Sequence, residues 1–171
     1  MPPEVPQITG MKFPLICLLV VMLPLCAENL FENSNMDTAG GWKGDRKILK
    51  DDKPSEEKDA KSNRLLVVTA KLRGPVSFSQ EVVTKDIPDL VVKFRYRTKD
   101  YVGRGYEILG RRQGGGSTFV DKKFIADGQW HGVVWAYTQV QGSKKIDFQF
   151  SVLEGTGDVC FDDIVVEASK N

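Results

Sequence analysis

The residues able to do acid–base or nucleophilic chemistry are few and poorly matched to one another. His131 is the only histidine in the chain, so no Ser-His-Asp triad, histidine metal cluster or histidine acid–base pair can be assembled. Cys160 stands in the apolar run Val159-Cys160-Phe161, where a buried structural thiol fits better than a nucleophile. Asp162 and Asp163 are paired carboxylates, yet neighbours on a strand point to opposite faces and do not flank one glycosidic bond. The chain therefore reads as a non-enzyme. Asp162 raises a separate question. By alternation it shares a face with Ile164 and Val166 and is expected to point inward, where an uncompensated carboxylate is costly. Either a metal ion or backbone N–H groups must satisfy it.

These residues sit in a chain dominated by strand signals. Arg64 to Lys71, Val76 to Val83, Leu90 to Thr98, Tyr106 to Arg112, Trp130 to Val140, Lys144 to Leu153 and Asp158 to Glu167 are short runs rich in β-branched and aromatic residues, separated by Gly, Pro or Asp. No segment of comparable length keeps a helical period. The expected fold class is all-β, two packed antiparallel sheets. Alternation then sorts the side chains: Leu90, Val92, Phe94 and Tyr96 face the core while Lys93, Arg95 and Arg97 face water. Ile146, Phe148, Phe150 and Val152 likewise alternate with Asp147, Gln149 and Ser151. Trp135 shares the parity of Val133 and Tyr137 and is expected in the core. Asp45 to Asn63 mixes both signs of charge with Pro54 and reads as a solvated loop. Gly110 to Ser117 reads as a flexible connection, without the lysine or the helix of a phosphate loop.

Ahead of the strands, Met11-Lys12, the apolar run Phe13 to Leu25 and the small Ala27 form a secretory signal over residues 1–27, with Met11 a better start than Met1. The run is too short to span a bilayer. Leu23-Pro24-Leu25 puts a bulky leucine where lipoprotein processing prefers a small residue, so free secretion is expected over lipidation at Cys26. Cys17 and Cys26 leave with the signal, and Cys160 remains without a disulfide partner. The expected product is one domain over residues 28–171, secreted and monomeric, with no membrane insertion. A net charge of +1 argues against nucleic acid as its partner.

The two ends of the domain carry a resemblance. Asn29-Leu30-Phe31-Glu32-Asn33 followed by Gly41-Trp42, and Phe161-Asp162-Asp163-Ile164 near the end, are similar to the opening and closing strands of bacterial carbohydrate-binding modules with a galactose-binding-like β-jelly-roll fold. Between them, Gln80-Glu81-Val82, Ile87-Pro88 leading into Leu90 to Arg97, and Gly128-Gln129-Trp130 follow the order of the family's segments. Leu90, Met36 and Asp37 stand where the family usually has Tyr, Phe and Glu, so this is a divergent member. The resemblance implies a jelly roll and a structural Ca2+ between first and last strands, held at the matching positions Asp37 and Asp162. It also implies a sugar cleft lined by Arg97 and Gln149, with Arg95 and Asp147 on the same solvated faces. Tyr101 and Tyr106, flanking the Val102–Gly105 loop, are candidates for stacking, and Gln80 for a hydrogen bond. Trp42 and Trp130 match structural positions. The implied function is non-catalytic binding of a polysaccharide or glycan; the rival is an extracellular structural or protein-interaction module of the same fold that binds no sugar. The cleft requires Arg95, Arg97, Asp147 and Gln149 to converge on one sheet.

Overall fold

Alternating apolar and polar residues along most of the chain give strands with one face to bury, and two sheets bury those faces against each other. The computed structural model describes residues 29–32, 34, 36, 40–50, 64–84, 89–113, 117–138 and 144–169. The expected signal segment, residues 1–27, and Asp37 lie outside them. The described strands are β1 (Lys43–Gly44), β2 (Lys47–Lys50), β3 (Arg64–Thr69), β4 (Val76–Val83), β5 (Asp89–Gly103), β6 (Tyr106–Arg112), β7 (Ser117–Lys122), β8 (His131–Thr138), β9 (Lys145–Val152) and β10 (Gly155–Ala168). They form two five-stranded antiparallel sheets, β1-β4-β9-β6-β7 (sheet A) and β2-β3-β10-β5-β8 (sheet B).

The core between the sheets is rich in aromatic rings. Phe78 and Phe150 stack with centroids 5.1 Å apart; Phe161 and Phe94 of sheet B meet them edge-on and each other at a tilt. Trp42 is 2% exposed and Trp135 packs half-buried against the same cluster. The two ends of the domain join as their motifs suggest: Leu30 N–H donates to the Val166 carbonyl at 2.8 Å, and Val166 N–H to Asn29 Oδ1 at 3.0 Å.

Three stretches differ from the sequence expectation. Lys47–Lys50 lies in the segment read as loop, yet pairs in register with β3, Ile48 opposite Leu66; a short edge strand rich in lysine has little apolar signal to reveal it. Ser117–Lys122 forms β7, whose only large apolar residues are Phe119 and Val120. Gly110 to Arg112, where the expected strand Tyr106 to Arg112 overlaps the expected flexible connection, belong to β6. A Cβ on Gly110 would fall 2.4 Å from Tyr137 Cε2, so this glycine admits the tyrosine ring from the facing sheet.

Candidate functional site

Arg95 and Arg97 are on β5 in sheet B, whereas Asp147 and Gln149 are on β9 in sheet A. Each pair alternates with core residues of its own sheet, so the two pairs point outward on opposite sides of the sandwich. The expected four-residue cleft does not exist. Alternation distinguishes inward from outward within a strand, but carries no information on which sheet the strand joins.

Other expected ligand-binding residues are part of the framework. Tyr101 is 6% exposed and its hydroxyl accepts from Gly105 N–H at 3.0 Å and lies 3.2 Å from the Gly105 carbonyl, fastening the turn between β5 and β6. Burial pushes its phenol up, opposed in part by the hydrogen bond to Gly105. Tyr106 is 4% exposed in the core against Phe94 and Phe124, and burial, with Tyr96 nearby, pushes its phenol up to about 12. Gln80 points into the sandwich, where its amide accepts from Glu32 N–H at 2.8 Å and donates to the Glu32 carbonyl at 3.1 Å. It holds the first segment against β4 rather than a ligand.

Asp162 also differs from expectation. The pairing of β10 with β5 slips between Asp162 and Val165, and Asp163 adopts φ 50°. This bulge inserts one residue, so Phe161 and Ile164 both face the core while Asp162 turns outward. Asp162 is nevertheless buried. Its Oδ2 lies 3.3 Å from Arg95 Nη2 and its Oδ1 accepts from Asp163 N–H at 2.8 Å. Asp163 Oδ2 lies 2.8 Å from Arg95 Nε. The bulge thus brings two adjacent carboxylates to one guanidinium, which supplies the charge that an inward Asp162 was expected to seek in calcium. Among the described residues no group of three or more acidic, histidine or cysteine side chains is arranged to hold a metal ion. Asp37, the other residue of the expected calcium site, lies outside the described residues.

Trp130, expected to be structural, is half-buried on the outer side of sheet B, with the Arg95 and Arg97 guanidinium carbons 5.3 and 4.9 Å from its ring centroid. Such stacking keeps both arginines flat against the surface. Cys160 is buried, as expected, but beneath Trp130 with Leu65 and Val67 rather than between the sheets. His131 Nε2 is 2.8 Å from Asp127 Oδ1, and this hydrogen bond, with that from Gln129 N–H, holds the Asp127 carboxyl below the usual carboxylate value.

The remaining expected residues do assemble into a surface. Across sheet A, register aligns Lys43, Ser79, Gln149, Leu109 and Phe119, one residue from each of five strands. The next outward row is Glu81, Asp147, Arg111 and Ser117. Adjacent strands are about 4.8 Å apart, so the first row extends roughly 19 Å. Gln149 Nε2 donates to Ser77 and Ser151 hydroxyls at 3.3 and 3.2 Å, which are 2.9 Å from each other. That fixes the amide orientation before any ligand arrives. A hydrogen bond from Lys145 at 2.6 Å holds the Glu81 carboxyl below its usual range. Phe119, 65% exposed, is the one aromatic among the exposed large apolar side chains of the described residues. Phe119 and Arg111 were not among the expected site residues. The parity of Phe119 with Ser117 and Asp121 was the available signal, and it carries weight only once Ser117–Lys122 is known to be a strand.

No protein-family profile matches the chain, and no curated protein matches it. Solved structures do. The enzymatically active domain of tailspike protein 4 from bacteriophage CBA120 is 10% identical with a TM-score of 0.64, over 82% of this chain and 21% of that one; the chain spans about a fifth of that domain. TmCBM61 in complex with β-1,4-galactotriose is 18% identical with a TM-score of 0.59, over 84% of this chain and 100% of that one. A xylan-binding domain from carbohydrate-binding module family 22 is 9% identical with a TM-score of 0.57, over 86% and 99%. At these identities the likeness establishes the fold alone: the chain has the two-sheet β-jelly-roll architecture found in carbohydrate-binding modules.

Proposed function

We propose that this protein is a secreted, non-catalytic module that binds a polysaccharide or glycan across the outer face of sheet A. The observation that carries the reading is the row Ser79–Gln149–Leu109–Phe119 flanked by Asp147 and Arg111. A sugar ring offers an apolar C–H face and a girdle of hydroxyls. Phe119 and Leu109 supply an apolar platform for the first, and the amide, carboxylate and guanidinium supply planar hydrogen-bonding groups for the second. The whole-length likeness to modules described as bound to galactotriose and as xylan-binding supports the ligand class. One exposed aromatic among the described residues gives little stacking area, so the reading predicts modest affinity for a single chain rather than adsorption to a flat crystalline surface.

A glycan array with the full chain and the variants Phe119→Ala and Gln149→Ala tests this. Wild-type protein is expected to retain a defined set of oligosaccharides, and each substitution to weaken retention about tenfold, the effect of losing one well-made contact. Phe119 is exposed, so Phe119→Ala should change melting little, whereas Gln149→Ala also gives up the bonds to Ser77 and Ser151. Retention unchanged in both variants, or absent in the wild type, would favour the rival reading of an extracellular protein-interaction module, to which the scarcity of exposed aromatics already lends support.

A further inference from the structure

Sheet B has an outer face of a different kind. Leu65 and Val67 of β3 and Cys160 of β10 point away from the main core, yet are 3%, 7% and 7% exposed and form their own apolar cluster. They floor a groove of about 910 Å3. Its charged lining is balanced: Lys50, Arg97 and Lys99 against Asp100, Asp127 and Asp158. Lys99 and Asp158 are directly opposite in register, and Thr69 Oγ1 donates to Asp158 Oδ1 at 2.7 Å. Arg97, opposite Cys160 in the ladder, lies against Trp130 at 4.9 Å.

We propose that this groove is a second oligosaccharide site, on the side of the sandwich opposite the sheet A face. The ligand class rests on the glycan-binding reading above. The groove has the size of a small-ligand site, an aliphatic floor for the C–H face of a sugar, and guanidinium and carboxylate groups around it that bond hydroxyl pairs through two parallel hydrogen bonds. Three charges of each sign select against a strongly charged ligand and leave a neutral, hydroxyl-rich one as the best match. Two sites facing opposite ways make the protein bivalent, able to bridge two glycan chains, with the gain in avidity that follows.

Cys160 in the floor provides the readout. In the full chain carrying Cys17→Ser and Cys26→Ser, Cys160 is the only thiol. Phe119→Ala and Gln149→Ala are added to disable the sheet A face, and β-1,4-galactotriose and xylohexaose serve as probes. A probe at tenfold excess over its dissociation constant is expected to slow labelling of Cys160 by a thiol reagent about tenfold. Arg97→Ala should remove that protection. Asp158→Asn, which keeps the shape, should do the same and decides the matter if Arg97→Ala does not fold. Calorimetry on the chain with an intact sheet A face separates the two claims. Binding there with a stoichiometry of one, and no protection of Cys160 in the disabled background, overturns the groove and leaves the sheet A site standing. Binding of neither probe by either form overturns both. Full protection retained in both Arg97→Ala and Asp158→Asn also overturns the groove.

Discussion

Arg95 shows how one side chain changes the meaning of its neighbours. Phe94 and Tyr96 fix it as outward, and it lies where the bulge presents both Asp162 and Asp163. Removing it leaves Asp162, 4% exposed, with its charge less well compensated, and strips one guanidinium from Trp130. Arg95→Ala is therefore expected to lower unfolding free energy by about 1.5–3 kcal/mol, the worth of hydrogen bonds to a charged group. Denaturant unfolding reads the loss. Repeating the unfolding with millimolar calcium tests the expected metal site, whose other residue, Asp37, lies outside the described residues: recovery with calcium and not with magnesium would place an ion at Asp162. The inward placement of Asp162 failed for one local reason. Parity counted back from Ile164 makes it inward and parity counted from Phe161 makes it outward, and only a bulge reconciles the two. Phe161, Ile164 and Val166 thus contained the evidence for an irregularity that a regular strand cannot accommodate.

Strand β10 is where that irregularity becomes testable as an element. It has four residues from Asp162 to Val165 for three on β5 from Arg95 to Lys93, so one residue is surplus to the ladder. Deleting Asp163 restores regular alternation and keeps Phe161, Ile164 and Val166 inward, at the cost of one ion pair and with relief of a left-handed backbone. Deleting Val165, two positions away, forces either Ile164 or Val166 outward whether or not the bulge persists. The first deletion is expected to unfold cooperatively by circular dichroism and the second to lose its cooperative transition. Equal behaviour would mean that the bulge does not set register. Strand existence was legible wherever apolar residues alternate over six or more positions, as in β4, β5, β6 and β9. It was not legible for β2 and β7, edge strands with too few apolar residues, and the second of these carries Phe119.

At the scale of the whole molecule, the all-β sandwich followed from alternation and from motifs at its two ends, while the site depended on sheet membership. Leu90 to Arg97 and Ile146 to Val152 look alike as strands; nothing local says that one joins β10 and the other β4 and β6. Their separation into opposite sheets has an energetic consequence. Packed sheets lie about 10 Å apart, and outward side chains on the two are farther still, so Arg97 and Gln149 share neither ligand nor neighbour. Arg97→Ala disturbs the Trp130 stack, and Gln149→Ala disturbs the Ser77 and Ser151 hydroxyls. The stability losses of the two substitutions are expected to add in the double variant to within about 0.5 kcal/mol, as for sites without common partners. A single cleft lined by both residues predicts coupling instead. Denaturant melts of the wild type, both single variants and the double variant give the coupling energy directly. A value above about 1 kcal/mol would place Arg97 and Gln149 in one network and require a different pairing of β5 and β9 from the one that separates them here.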